Sequence, residues 1–260
     1  MATAILLGVI QGVFEWLPVS SEGLVAAAYS ALEDRPLDEA VNYALWLHLG
    51  TVPSVVVVFW KDLVRAVREF LARPTRPSSF PSFLVVAVAI SAVIGFPMLL
   101  ALQELSDALG AAAMGVVGAL LLVTGFVQMR RNESGTRDRT KLTTTDGLLA
   151  GVAQGVAVLP GISRSGMTIA VLLGRRIDRR EALVLSFLMS IPAGLGAGIY
   201  AAFDSEFTLS TEAFVATSVA FVVGLVTIKG LLAIAQTINF GLFVVLVGVA
   251  VLLGAFWQTL

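Results

Sequence analysis

Hydrophobic residues fill this chain in long blocks that polar residues interrupt only at wide intervals. Six blocks, at about residues 40–60, 81–102, 111–129, 182–202, 213–235 and 240–257, are uniform enough to span a bilayer. Each is close to the roughly 20 residues that a helix needs to cross a hydrocarbon core of about 30 Å. Two more blocks, about 2–30 and 146–174, are as apolar but are broken by Pro, Gly, Ser and a charge. Irregular backbone at membrane depth survives only where protein or a water-filled cavity satisfies its polar groups. The pattern therefore predicts two re-entrant hairpins, each a helix in, a turn near the midplane and a helix out. The expected fold is an all-α polytopic membrane protein of six transmembrane helices plus two re-entrant helical hairpins.

The two broken blocks resemble each other. GVIQGVFEWLPVSSEG (Gly8–Gly23) parallels GVAQGVAVLPGISRSG (Gly151–Gly166). At one constant offset, Gly8, Gln11, Gly12, Val13, Ser20 and Gly23 meet Gly151, Gln154, Gly155, Val156, Ser163 and Gly166, while Pro18 and Pro160 are out of step by one. Two Gly-rich apolar stretches can coincide by chance, but a polar Gln and a Ser coincide here as well. Repeat 1 covers about 1–130 and repeat 2 about 145–260 of a single membrane domain, 1–260. Each repeat is one hairpin plus three spans. A hairpin returns to its own side and three spans do not, so the second repeat enters from the opposite face. The result is an inverted-topology repeat whose hairpin tips meet near the midplane.

Composition agrees. The chain is 57% hydrophobic and only 13% charged, with a mean hydropathy of +0.91, whereas soluble domains carry about 25% charged residues. The short alternating segments of a membrane barrel are missing. No basic region precedes the first apolar run, so a cleaved signal peptide is not expected. The absence of cysteine excludes disulfides and thiolate metal sites. The net charge of −1 gives no reason to expect a nucleic-acid partner.

Charge distribution is more informative. With the hairpins re-entrant, one side receives the loops near 61–80, 130–145 and 175–181 and the turn near 236–239. Those loops hold Lys61, Arg65, Arg68, Arg73, Arg76, Arg130, Arg131, Arg137, Arg139, Lys141, Arg175, Arg176, Arg179 and Arg180, with Lys229 close by. The other side holds Arg35 with Glu33, Asp34, Asp38, Glu39, Glu104, Asp107, Asp204, Glu206 and Glu212. Cytoplasmic loops are enriched in Lys and Arg. This predicts a multi-pass plasma-membrane protein with both termini and the mouth of the first hairpin extracytoplasmic.

Ionisable groups inside a membrane are costly and default to functional candidates. Three qualify: Glu15, Glu22 and Arg164. Gln11 and Glu15 are four apart and share a helix face. Pro18 ends that helix, and Ser20, Ser21, Glu22 and Gly23 read as the turn and start of the returning helix. PGISRSGMT (Pro160–Thr168) does the same in the second repeat. A helix N-terminus offers unpaired N–H groups and a positive dipole end, a seat for phosphate. Ser163, Ser165 and Thr168 add hydroxyls, and Arg164 a fixed charge with bidentate geometry. Two facing hairpins would make an anion pocket with a carboxylate in it. Plainer roles compete. Ser20 could simply bond its own backbone, Glu22 could be solvated at the outer mouth, and Arg164 could only neutralise Glu15. His48, the only histidine, sits beside Gly50 and Pro53 on a span and reads as a hydrogen-bonded packing residue rather than a catalyst.

The chain resembles the undecaprenyl-diphosphatase (bacitracin-resistance) family of integral membrane phosphatases. The resemblance is carried by Gln11…Glu15, matching a Glu/Gln-x-x-x-Glu motif, and by Pro160–Thr168, matching Pro-Gly-x-Ser-Arg-Ser-x-x-Thr. Leu17–Ser21 is also similar. It implies hydrolysis of a polyprenyl diphosphate to the monophosphate and inorganic phosphate at the outer face, recycling a glycan lipid carrier. Arg164 would seat the phosphate, helped by Ser20, Gly161, Ser163, Ser165 and Thr168. Glu15 would act as general base or metal ligand, with Gln11 orienting it or the metal, which would be a divalent ion such as Mg²⁺ or Ca²⁺. Ser21 is the candidate nucleophile and a water activated by Glu15 its competitor. The partner would be the lipid substrate, and a homodimer is compatible with this reading. One departure stands out: where many bacterial members carry a catalytic histidine, this chain has Leu24. A lipid-phosphate transporter or flippase, or a homologue that binds without cleaving, are the other classes that fit.

Overall fold

Each interrupted block folds into two helices joined at a polar tip. The first gives α1 (Ala2–Phe14) and α2 (Ser21–Glu33), the second α7 (Thr144–Val156) and α8 (Arg164–Gly174). Between them run α3 (Leu37–Val58), α4 (Trp60–Ala72), α5 (Ser79–Leu109) and α6 (Ala113–Met129). After them come α9 (Arg179–Phe203), α10 (Thr211–Thr237) and α11 (Gly241–Trp257). The structure, a computed structural model, describes residues 1–75, 77–109, 113–129, 135–203, 207–237 and 241–257, with side chains for all of these but 102–109, 113–114, 235–237 and 257. Arg76, Arg130, Arg131, Asp204 and Glu206 therefore lie outside the described residues, as do the side chains of Glu104 and Asp107.

Among the described residues the chain is all-helical, and α3, α5, α9 and α10 are long and apolar enough to cross a membrane. Helices α6 and α11 have 17 residues each, at the short end of the range of about 17–25 for a spanning helix. The chain is thus a multi-pass helical membrane protein. The stretch from 61 to 80, expected to be a loop, is instead largely α4. Trp60, Leu63, Val64, Val67 and Leu71 recur on it at helical spacing. Trp60, Val67 and Leu71 are exposed, and Lys61, Arg65 and Arg68 lie between them in sequence.

Glycine sets the packing of the hairpins. A Cβ on Gly8 would strike the Ala216 carbonyl and Val219 of α10, and one on Gly12 the Ala220 carbonyl and Val223. On α7, Gly151 lies against the Ala87 carbonyl and Ile90 of α5, and Gly155 against the Ser91 carbonyl and Ile94. The contacted residues correspond at a single offset: Ala216 to Ala87, Val219 to Ile90, Ala220 to Ser91 and Val223 to Ile94. So α1 lies along α10 as α7 lies along α5, and the glycines that match in sequence make matching contacts. In the centre α3 crosses α9, with Gly194 against His48 and Val52 and Gly198 against Leu49.

Ion pairs tie the helix ends together at one face. Arg139 pairs with Asp62 and, from Nε at 2.7 Å, with Glu181, and its guanidinium lies 5.1 Å from the Phe80 ring centroid. Asp146, fully buried, takes Arg137 at 2.6 Å and Arg175 at 2.7 Å. It also closes a capping box with Thr143 at the start of α7. The ends of α4, α5, α7, α8 and α9 are joined this way.

Candidate functional site

The two hairpin tips meet, and their polar residues are spent first on building the meeting. Ser20 caps α2 by accepting from the Gly23 N–H at 3.2 Å, and Ser163 caps α8 by accepting from the Gly166 N–H at 3.1 Å. Ser20 Oγ also accepts from the Gly161 N–H of the other tip at 3.3 Å, and the Ser165 hydroxyl donates to the Leu17 carbonyl at 3.0 Å. Helix α6 holds both tips. The Thr124 hydroxyl donates to the Gly161 carbonyl at 3.0 Å and accepts from the Ser163 N–H at 3.2 Å. The Gln128 amide donates to the Pro18 carbonyl. Gly161 has a φ of +97°, and a Cβ there would run into the Val117 carbonyl. Only glycine turns the chain there at so little cost.

Beside this junction lies a pocket lined by Glu15, Ser20, Ser21, Glu22, His48, Arg164 and Ser165, with Val19 and Ile162. Glu15, 7% exposed, is its hub. Its Oε2 accepts from the Ser21 hydroxyl at 2.7 Å and from Gln11 Nε2 at 3.1 Å. Its Oε1 accepts from Arg164 Nη2. Glu15 sits at the C-terminal end of α1, while Ser21 opens α2 and Arg164 opens α8. The caps use the third N–H of each returning helix, which leaves the earlier ones pointing out of the helix start. A hydroxyl bonded to a carboxylate, beside an arginine and two helix N-termini, is the arrangement that activates an oxygen nucleophile toward an anionic electrophile.

The structure distributes the expected site residues unequally. Glu15, Ser20, Ser21, Arg164 and Ser165 reach the pocket. Gln11 is fully buried behind Glu15. Ser163 is committed to its cap. The Thr168 hydroxyl donates to the Arg164 carbonyl at 2.9 Å and lies 2.6 Å from that of Ser186, away from the pocket. It sets the first turn of α8 and therefore the root of Arg164. The Gly161 N–H is occupied by Ser20.

His48 changes role. Its Nδ1 bonds the Ala44 carbonyl at 3.1 Å, as a packing residue would, but its Nε2 lies 3.6 Å from Glu15 Oε2 and 3.6 Å from Glu22 Oε1. It therefore stands between the two carboxylates. Glu22, with its side chain 19% exposed, faces inward rather than out to solvent. Nothing near residue 48 in sequence signals this, because the packing of α3 against the first hairpin brings it in. Leu24, where the resemblance would put a histidine, packs against the apolar cluster around Leu17, Val19 and Leu121. The one imidazole of the site thus comes from α3 instead of α2. Replacing His48 with leucine should lower kcat/KM by about 10–100-fold, the range found when an outer partner of a metal-ligating side chain is removed, here that of Glu15, whose carboxylate His48 faces at 3.6 Å. Steady-state kinetics on a variant shown by thermal melting to be folded checks this; an unchanged kcat/KM returns His48 to a packing role.

Residues 4–254 match the family described as "Bacitracin resistance protein BacA". Curated relatives span nearly the whole chain. The undecaprenyl-diphosphatase of Methanococcoides burtonii is 38% identical over 98% of this chain and 98% of its own length. That of Methanopyrus kandleri is 38% identical, over 95% and 93%. That of Haloarcula marismortui is 36% identical, over 91% and 90%.

Proposed function

The chain belongs to the bacitracin resistance protein BacA family, and we propose that it hydrolyses a polyprenyl diphosphate of the undecaprenyl type to the monophosphate and inorganic phosphate. The observation that carries this reading is the 2.7 Å hydrogen bond from the Ser21 hydroxyl to Glu15 in a pocket that also holds Arg164. The incoming diphosphate draws the Arg164 guanidinium onto its oxygens, which frees Glu15 to act as a base. The Ser21 hydroxyl gives its proton to Glu15 and forms a bond to the terminal phosphorus. The bond to the bridging oxygen breaks, and the polyprenyl monophosphate leaves. The proton on Glu15 passes to the departing monophosphate; Glu15 then takes a proton from the water that attacks the phosphoserine and passes it to the serine oxygen, returning the serine and releasing phosphate. Arg164 and the helix N–H groups meet the charge that builds on the equatorial oxygens.

The donor set suits a hard cation. Gln11 turns its N–H₂ to Glu15 and leaves its Oε1 buried without a partner. Rotating the amide would place that oxygen beside the carboxylate, an arrangement that a cation between them favours. Among the described residues no three His, Asp or Glu side chains are arranged to hold an ion. The fit is therefore to an ion held by Glu15 and Gln11 and completed by substrate phosphate and water, as Mg²⁺ commonly is. Such an ion, Mg²⁺ or Ca²⁺, would supply charge neutralisation on the phosphate oxygens.

In the bilayer we place α3, α5, α6, α9, α10 and α11 as the six spans, and the α1–α2 and α7–α8 pairs as hairpins entering from opposite faces. The matching glycine contacts of α1 with α10 and of α7 with α5 support this inverted repeat. The basic residues of α4 and the two arginines that open α9 mark the cytoplasmic face, so the first hairpin and the catalytic pocket open outward. There the released monophosphate would re-enter use as a glycan carrier. Right-side-out vesicles given an external long-chain prenyl diphosphate should release phosphate into the medium, and inside-out vesicles only after permeabilisation. No release from either would leave binding or transport as the function, and release from sealed inside-out vesicles would invert the orientation.

A further inference from the structure

The residues of α4 sort into stripes for which the hairpin pocket has no use. At 3.6 residues per turn, Val67, Trp60 and Leu71 fall within about 40° of one another around the helix, and Arg68, Lys61 and Arg65 within about 60° beside them. Asp62, Leu63 and Ala66 lie on the opposite side and hold α4 to the protein. Ala66 is buried in the cluster that contains Phe59, Phe80 and Phe83, and Leu63 packs against it. The Asp62 carboxylate takes Arg139. The apolar stripe faces away from all of this: Trp60 is 60% exposed, Val67 56% and Leu71 69%.

The neighbours of α4 fix its level in the bilayer. Helix α3, long and apolar enough to span, stops at Val58, and α5, another such helix, begins at Ser79. Phe59 alone separates α3 from α4. Asp62 and Glu69 are about 10 Å apart along the helix, yet both reach the start of α5. Arg139, paired with Asp62, lies 5.1 Å from the Phe80 ring centroid, and Glu69 accepts from the Ser78 hydroxyl at 2.5 Å. So α4 crosses the end of α5 instead of standing out from it along the axis of the span. A helix placed this way, with tryptophan and aliphatic residues on one stripe and basic residues on the next, is built to lie in a membrane–water interface.

A groove of about 340 Å³ joins the two stripes, lined by Trp60, Lys61, Val64, Arg65, Arg68 and Glu69. Glu69 is committed to Arg65, at 2.8 Å, and to Ser78. Lys61 and Arg68 have no ion-pair partner among the described residues. We propose that α4 lies in the surface of the leaflet at which α3 ends, and that this groove binds the headgroup of an anionic phospholipid. The lipid phosphate sits on Lys61 and Arg68, and its acyl chains run along Trp60, Val67 and Leu71. A free phosphate would use only the basic stripe. A second copy of the chain would use only the apolar one, and across a twofold axis it would bring a like-charged stripe into the same interface. An anionic lipid uses both. The groove shares no residue with the hairpin pocket, and the proposal does not rest on the hydrolytic reading.

The chain has no cysteine, so single cysteines report on α4 without background. In vesicles of phosphatidylcholine and phosphatidylglycerol, spin labels on Val67→Cys and Leu71→Cys should be reached by dissolved oxygen and shielded from a water-soluble nickel chelate. A label on Thr136→Cys, an exposed loop position, should behave the opposite way. If the chelate reaches Val67 and Leu71 as readily as Thr136, the stripe stands in water, which overturns the proposal and leaves the stripe to a soluble partner. The headgroup is tested with a phosphatidylglycerol that carries a photoreactive group at its head, as a minor component of phosphatidylcholine vesicles. It should label α4 of the full-length protein, and Lys61→Gln with Arg68→Gln should cut that labelling by about fivefold or more, since one basic residue contributes about fivefold in affinity at an anionic surface. Thermal melting checks that the double variant is folded. Glycerol phosphate should not compete; if it does, the groove takes free phosphate and the lipid assignment fails. Equal labelling of wild-type protein by the matching phosphatidylcholine probe, or labelling unchanged in the double variant, also overturns the proposal.

Discussion

Replacing Ser21 by alanine should lower kcat/KM by roughly 10⁴-fold or more, since removing a nucleophilic serine from a hydrolase costs on the order of 10⁶ in rate. Ser21 is the first residue of α2, so its oxygen sits at the positive end of the helix dipole. Its 2.7 Å bond to Glu15 Oε2 gives the proton a destination. Ser20, the adjacent hydroxyl, is held by two backbone N–H groups from opposite hairpins and has no carboxylate partner among the described residues. The decisive measurement is acid-quenched labelling with substrate carrying ³²P in the terminal phosphate. Wild-type protein should retain label on Ser21 and Ser21→Ala none. If Ser21→Ala stays within tenfold of wild type and wild type retains no label, the nucleophile is water activated by Glu15, and Ser21 only orients that carboxylate.

Arg164→Lys should lower kcat/KM by about 10²–10³, close to the roughly 3–4 kcal/mol lost with one oxyanion donor. Lysine keeps the charge but loses the planar fork that can hold Glu15 and then two phosphate oxygens. Arg164→Ala is the less informative change. It strands Glu15 beside Glu22, and breaking a buried ion pair by removing one partner destabilises by about 3–5 kcal/mol. The pairing of Arg164 with Glu15 also allows a purely structural reading, which Glu15→Gln combined with Arg164→Gln separates. If the two groups only neutralise each other, the double variant regains activity that each single variant lacks. If Arg164 seats phosphate and Glu15 takes the serine proton, the double variant stays inactive while its melting temperature recovers. Arg164→Lys within about threefold of wild type, in a protein that melts normally, would remove Arg164 from the phosphate seat.

The long apolar helices are legible in the sequence because a lipid-facing helix must be apolar throughout, and the paired helices α1–α2 and α7–α8 because each broken apolar block divides at its polar tip. The matching packing of α1 and α7 is legible at Gly8, Gly12, Gly151 and Gly155 for a physical reason. Each lets a helix approach another's carbonyl, so the requirement for glycine recurs wherever the contact recurs. Helix α4 reads as loop because its mean hydropathy is low, although its apolar residues recur at helical spacing from Trp60 to Leu71. The chemistry is only half legible. Glu15 and Arg164 declare themselves as charges in apolar surroundings. His48 does not, since its neighbours speak of helix packing and its partners, Glu15 and Glu22, belong to the first hairpin, remote from it along the chain. Hydroxyls mislead in the other direction. Ser163 and Thr168 stand in a phosphate-like motif, yet one caps α8 and the other braces its first turn. A motif records which side chains are needed, not which of them touch the ligand.

The tips of the two hairpins are tied to each other and to α6, and this limits how the molecule can move. A carrier that exposes one site alternately to two compartments must let one half rock against the other. Here such rocking would pull the Gly161 amide from Ser20, Ser165 from the Leu17 carbonyl, and Thr124 from the Gly161 carbonyl and the Ser163 amide. Breaking each buried hydrogen bond of this kind costs about 1–3 kcal/mol. The junction therefore acts as a keystone. It holds the helix starts of both hairpins in one arrangement before any ligand arrives, so the anionic substrate spends binding energy on drawing Arg164 from Glu15 and not on bringing the two tips together.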